Sequence, residues 1–293
     1  MTSQSSKQQI IIENVFEDYN IENDRLQSTP YELVLIKNSV DDLLAHLSQT
    51  VVAIINVGIP VTAELISQLP SSVKVITKLG VGYEKIDVHM CRRQGIEICY
   101  TPDYGTNTVA DHVVALLVAA QRRLLTFHNS IVQKHQWYYT AAGNLKELNA
   151  MTLGIIGCGR IGTYFADKMR PFVKQILTHN SKDLTTNTLK EIFEECDIIS
   201  LHIPMSTSNY HLISYESIAQ MKRCPILINV SRGGLIDTKA LVQALKNGQI
   251  SFAALDVVEG EPNIDEELIK LDYVLLTPHA VWYTEESKRA LRT

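Results

Sequence analysis

The chain has 293 residues, 45% hydrophobic and 20% charged, with a formal net charge of −5. That is ordinary globular composition, long enough for two domains with buried cores, and it excludes a disordered or fibrous chain. A mildly acidic protein without a basic block is a poor fit to nucleic-acid binding. Five scattered cysteines, none in C-x-x-C spacing, point to neither a disulfide framework nor a zinc site, and no metal is expected.

Residues 1–7 are polar, and the apolar run 10–12 is too short for a signal sequence. The longest apolar stretch, 113–120, falls far short of the ~18 residues needed to span a bilayer. A soluble, cytoplasmic protein with no membrane partner is the expectation.

Segments 9–12, 32–36, 51–55, 73–77 and 96–100 are short and rich in β-branched residues. Continuous apolar runs of this kind suit parallel strands buried on both faces. Helical segments are expected between them at 40–47, 61–69 and 84–94. Asn38 or Ser39 caps the first, and Gly95 closes the third. After an interruption at 101–105, the spacing predicts one long helix over 111–136, and 137–149 reads as a polar loop. A second alternating set follows, with strands at 152–156, 174–178, 197–201, 226–230, 252–256 and 273–276. Six strands with crossovers match a doubly wound dinucleotide-binding domain.

The first strand of that set runs into Gly157-Cys158-Gly159-Arg160-Ile161-Gly162. This is G-x-G-x-x-G between a strand and a helix. Gly157 allows the tight turn, Gly159 admits a pyrophosphate, and Gly162 lets helix and strand pack closely. The next strand ends in Thr178-His179-Asn180-Ser181-Lys182, without the acid that binds the ribose of NAD. Asn180 does not repel a 2′-phosphate and Lys182 attracts one, so NADP is favoured over NAD. The alternative is that Asn180 hydrogen-bonds the ribose of NAD.

Ligands of open α/β sheets bind outside the carboxyl ends of the strands. Those ends carry His202 and Pro204, then Ser231 and Arg232, then Asp256 followed by Glu261, then His279. A 2-oxo acid needs a cation for its carboxylate and carbonyl oxygen, which the arginine fork suits. Hydride transfer to the carbonyl carbon creates a demand for a proton, which histidine meets near neutral pH. A carboxylate beside the imidazole orients it. Arg232, Glu261 and His279 are therefore read as the catalytic set, and His202 as a lining of the cofactor cleft. His46, His89, His112, His128, His135 and His211 lie on or near predicted helices and read as structural.

Together these segments resemble the D-isomer-specific 2-hydroxyacid dehydrogenases. The resemblance rests on Gly80-Val81-Gly82-Tyr83, Tyr104-Gly105-Thr106-Asn107-Thr108, the glycine turn, His202-Ile203-Pro204, and the segments 229–237, 256–262 and 277–279. It implies a Rossmann-like dinucleotide-binding domain inserted into a flavodoxin-like catalytic domain, at 102–282 within 1–101 and 283–293. It implies reduction of small 2-oxo acids such as glyoxylate, hydroxypyruvate or pyruvate with NAD(P)H, usually by a homodimer.

By position, Arg232, Glu261 and His279 match the family's catalytic residues. Val81 and Gly82 match the loop whose N–H groups hold the substrate carboxylate. Thr108, Gly157, Gly159, Arg160, Ile161, Pro204, Val230, Ser231 and Asp256 match cofactor-contacting positions. Trp282 matches the variant of glycerate dehydrogenases and hydroxypyruvate reductases. The side-chain pocket is expected at Tyr83, Trp282 and Tyr283, with the partner subunit's Trp137.

Asp111 and Asn180 depart from the family's usual Glu and Asp. Glu261 stands where formate dehydrogenases carry Gln, which argues against that relative. A dinucleotide-sensing corepressor keeps the same trio, but this chain has no long basic or disordered segment through which to recruit partners.

Overall fold

The computed structural model describes residues 7–181 and 186–293. The chain divides into two compact units, Met1–Tyr104 with Thr284–Thr293, and Gly105–Tyr283.

The first unit is a five-stranded sheet of β1 (Gln8–Glu13), β2 (Tyr31–Ile36), β3 (Val51–Asn56), β4 (Val75–Lys78) and β5 (Glu97–Tyr100). Every pairing is parallel, in the order β2-β1-β3-β4-β5. This is the flavodoxin-like winding. The helices are α1 (Asn20–Leu26), α2 (Val40–His46), α3 (Ala63–Gln68) and α4 (Val88–Arg93).

Caps decide where three of these helices start. The Ser39 hydroxyl, not Asn38, accepts the Asp42 N–H. Thr62 caps α3, so Val61 is left to bridge Ile86. Asp87 accepts the Met90 N–H at 2.9 Å, so α4 begins after it and not at residue 84. Helix α1 is not foreseen from the sequence because none of its residues is buried, so it carries no apolar stripe. The C-terminal helix Glu285–Arg292 belongs to this unit. Its Arg292 bonds Glu22 at 2.7 Å and Asp18 at 3.2 Å.

The second unit opens with α5 (Thr106–Gln121) and α6 (Leu124–Val132), where the periodicity predicts one helix. The break falls at Arg123, which adopts φ 54 and lays its guanidinium over the Phe252 ring at 4.7 Å. A tertiary contact has overridden a continuous helical pattern.

The sheet comprises β6 (Thr152–Ile156), β7 (Gln175–His179), β8 (Ile198–Leu201), β9 (Ile226–Asn229), β10 (Phe252–Leu255) and β11 (Val274–Leu276). All pairs are parallel, in the order β11-β10-β9-β8-β6-β7. Helices α7 (Arg160–Met169), α8 (Leu189–Glu195), α9 (Tyr215–Ile218), α10 (Thr238–Lys246) and α11 (Glu266–Ile269) cross between strands.

Successive strand residues feed opposite cores. Ile226 and Ile228 join the cluster with α5, while Leu227 joins the cluster with α10. Burial on both faces explains why these strands read as unbroken apolar runs. The winding reverses between β6 and β8, and the strand ends beside that point form this sheet's binding edge. Among the described residues no helix is long and apolar enough to cross a membrane.

Candidate active site

The glycine turn sits at the end of β6. Gly157 adopts φ 105, and a Cβ there would meet the His202 carbonyl oxygen at 2.6 Å. At Gly162 a Cβ would run into the Gly157 carbonyl oxygen, so helix and turn touch backbone to backbone. Gly159 differs: a Cβ there meets nothing within 4 Å. It caps α7, whose first turn presents N–H groups and the positive end of the helix dipole. An open concavity in front of helix N–H groups is a fit for a pyrophosphate.

Arg160 is the exposed first residue of α7, and Ile161 packs beneath it against the α5 core. Thr108 lies on the first turn of α5, and exposed Pro204 follows β8. His202 faces inward. Its Nε2 pairs with the Ser200 hydroxyl at 2.9 Å, its ring lies against Phe165, and its Nδ1 is buried without a partner. Burial lowers its pKa to about 4, so the ring is a neutral wall behind the turn.

At the end of β7, Asn180 and Thr186 bond each other, the Asn180 N–H donating to the hydroxyl at 3.0 Å. Lys182 lies outside the described residues.

Strand β9 ends in buried Asn229, which folds the next turn. Its side chain accepts the Ser231 N–H at 3.0 Å and donates to the Arg232 carbonyl at 2.8 Å. Ser231 in turn donates to the Leu201 carbonyl, and Val230 is buried. This fixes the backbone of Arg232 at the strand's carboxyl end.

Glu261 and His279 leave β10 and β11. The His279 Nδ1 lies 2.7 Å from Glu261 Oε1. Burial would raise the Glu261 pKa, but the His279 hydrogen bond, the Val258 N–H and the nearby Arg232 outweigh it, and the carboxyl titrates below its usual range. With Nδ1–H donating to Glu261, Nε2 is left to exchange a proton.

Asp256 builds this geometry from below. Its carboxylate accepts the Thr277 hydroxyl at 2.5 Å, the Ala280 N–H at 2.8 Å and the Val281 N–H at 3.3 Å. Its carbonyl accepts the His279 N–H. The His279 backbone is held at φ 55, a conformation uncommon outside glycine. Asp256, expected from the sequence at a cofactor-contacting position, also anchors the histidine loop, a role that only long-range hydrogen bonds reveal.

The structure brings Arg232, Glu261 and His279 to neighbouring strand ends of one sheet. Val81 and Gly82 lie in the first unit, on the loop after β4, with Val81 exposed. Sequence reasoning misses a second histidine–glutamate pair, His211 with Glu259, at 2.8 Å. Its one signal is an acid two residues before Glu261.

Turn, helix terminus and strand edge together place the second unit in the dinucleotide-binding class. Residues 114–280 match the family model described as D-isomer specific 2-hydroxyacid dehydrogenase, NAD binding domain. A hydroxypyruvate reductase of Thermotoga maritima is 33% identical over 285 residues, covering 91% of this chain and 92% of the relative. A glyoxylate reductase of Korarchaeum cryptofilum is 37% identical over 242 residues, covering 78% of this chain and 72% of that one. The crystal structure of a glyoxylate reductase from Paecilomyes thermophila superposes with a TM-score of 0.88 at 30% identity, over 97% of this chain and 92% of that one. The chain belongs to the D-isomer specific 2-hydroxyacid dehydrogenase family, whose chemistry is NAD(P)-linked oxidoreduction of 2-hydroxy acids.

Proposed function

We propose that the protein reduces small 2-oxo acids of the glyoxylate, hydroxypyruvate or pyruvate type to D-2-hydroxy acids, as a homodimer, with NADP preferred over NAD. The observation that carries this is the 2.7 Å His279–Glu261 pair at the sheet edge that also bears Arg232.

The dinucleotide is held by the glycine turn, Arg160, Ile161 and the first turn of α7, with Thr108, Pro204, Val230 and Ser231 along the strand ends. A bound reduced nicotinamide supplies a hydride to the carbonyl carbon. The Arg232 fork binds the substrate carboxylate and polarises its carbonyl oxygen. In the first unit, Val81 and Gly82 offer backbone N–H groups to a carboxylate. His279 passes a proton from Nε2 to the oxygen as it becomes a hydroxyl, and Glu261 offsets the charge on the imidazolium. In the reverse direction neutral His279 takes that proton back.

Relatives named for glyoxylate and hydroxypyruvate support a small substrate. Asn180 at the β7 end supports NADP, since its uncharged amide does not repel a 2′-phosphate. Exposed Trp137, Tyr138 and Tyr139, at 82, 68 and 90%, support an apolar face covered by a second copy.

The test is oxidation of NADH and NADPH across a panel of 2-oxo acids. Turnover with kcat/KM higher for NADPH is expected. A strong NADH preference would overturn the cofactor assignment. Tight dinucleotide binding without turnover on any acid would favour a sensor instead.

A further inference from the structure

The loop that carries Glu261 holds two histidine–glutamate pairs, not one. Two residues upstream of Glu261, the Glu259 carboxylate accepts from Tyr210 Oη at 2.5 Å, His211 Nε2 at 2.8 Å and the Thr238 hydroxyl at 3.4 Å. Tyr210 and His211 stack on each other with ring centroids 3.9 Å apart. Behind His211, its Nδ1 faces Asp237 at 3.8 Å, the residue that caps α10. Among the described residues, the ionisable side chains that face this imidazole are Tyr210, Asp237 and Glu259. His211 adopts φ 54, as His279 adopts φ 55, and surrounding contacts must hold a backbone of that kind.

What the clamp holds is a tight turn. The Glu261 N–H donates to the Val258 carbonyl at 3.4 Å, and the Val258 N–H donates to Glu261 Oε2 at 3.3 Å. Gly260 makes the reversal between them at φ 82. The other side of the loop is fixed too, because a Cβ on Gly233 would collide with the Val258 carbonyl group. The Arg232 turn thus packs directly on the backbone of the Glu261 loop.

We propose that Glu259, clamped by His211 and Tyr210, is a positioning residue that fixes the turn aiming Glu261 at His279. This inference rests on the catalytic reading above. It gives the second pair a task at the site without contact with substrate: a shift of the clamp is passed along a four-residue turn to the carboxylate that orients the acid–base histidine. The same clamp touches α10 through Thr238 and so registers the loop against the elements that follow Arg232.

The experiment measures Glu261 itself as well as turnover. Carboxylate 13C NMR of glutamate-labelled full-length protein, assigned with Glu261→Gln, follows the Glu261 titration. In the wild type it should titrate below an ordinary glutamate. In Glu259→Gln and His211→Leu it should move upward, because burial remains while the His279 hydrogen bond is lost. In the same variants kcat should fall about ten- to a hundredfold, with KM for glyoxylate and dinucleotide Kd within about twofold. His211→Gln keeps an amide donor where Nε2 stands and should restore most of both readouts.

An unchanged Glu261 titration in Glu259→Gln overturns the proposal. So does a variant that only lowers Tm while leaving the titration in place. Wild-type protein inactive on every 2-oxo acid would sink the catalytic reading, whereas the NMR titration judges the positioning role on its own.

Discussion

His279 and Glu261 come from consecutive strands of one parallel sheet and meet through Nδ1 and Oε1 at 2.7 Å. Both side chains are partly exposed, at 46 and 39%, so the pair contributes little to folding. Its value lies in orientation: one ring nitrogen is tied to the protein and the other is free for proton exchange.

His279→Ala should therefore lower kcat by about 10²–10⁴-fold while leaving dinucleotide Kd nearly unchanged. Glu261→Gln should alter the pH profile. The wild-type carboxyl is held below its usual range, so it stays charged over most of the acid side and loses its hold on His279 only once protonated. Activity governed by Glu261 thus persists through the usual carboxylate range and is lost only as pH falls below it. In Glu261→Gln that acid limb should disappear from kcat/KM; its persistence would assign it to another group.

Much of this architecture is legible because parallel strands buried on both faces leave unbroken apolar runs, each followed by the polar residues of the binding edge. Ile226–Asn229 followed by Arg232 is such a case. Helix α1 is illegible because nothing in it is buried, and the break at Arg123 because a ring from β10 decides it. The anchoring role of Asp256, and Glu259 altogether, escape for one shared reason. Their partners, Ala280, Val281, Tyr210 and His211, lie 24, 25, 49 and 48 residues away, and local spacing carries no record of them.

Asp256 is 2% exposed and accepts two backbone N–H groups and a hydroxyl. Asp256→Ala removes the acceptor of all three donors. The buried Val281 N–H bears the full cost of about 1–3 kcal/mol, and the part-buried Thr277 hydroxyl and Ala280 N–H, which water can reach, cost less. Urea unfolding should show a loss of about 2–4 kcal/mol, and turnover should fall with it because the carboxylate holds the Ala280 and Val281 N–H groups, which directly follow His279 and set its loop. A stability change below about 0.5 kcal/mol would mean that water replaces the carboxylate.

His202 makes stability fall on the acid side. Its pKa drops from 6.5 to about 4 through burial, so the unfolded chain binds the proton first. The contribution is complete above about 6.5 and lost progressively as pH falls to about 4. At 1.36 kcal/mol for each unit, this reaches about 3 kcal/mol. His202→Gln should flatten the stability curve in that window, as read by urea midpoints between pH 7 and 4. An unaltered slope would show that the acid loss belongs to other groups.

Gly159 and Gly162 separate binding from folding within one turn. A methyl at Gly162 must displace the Gly157 carbonyl, so Gly162→Ala should destabilise the second unit by about 1–3 kcal/mol or more. Gly159 has φ −76 and ψ −169, which alanine adopts without strain, and open space in front of it. Gly159→Ala should therefore match or slightly exceed wild-type stability, by up to about 1 kcal/mol, through the unfolded chain. Its methyl occupies the space through which a pyrophosphate would approach, so dinucleotide Kd should rise about tenfold or more, equivalent to about 1.4 kcal/mol. Calorimetric Tm and dinucleotide titration of both variants decide the matter. A Gly159→Ala protein that binds NADPH as the wild type does would remove this turn from the cofactor site, whatever its stability.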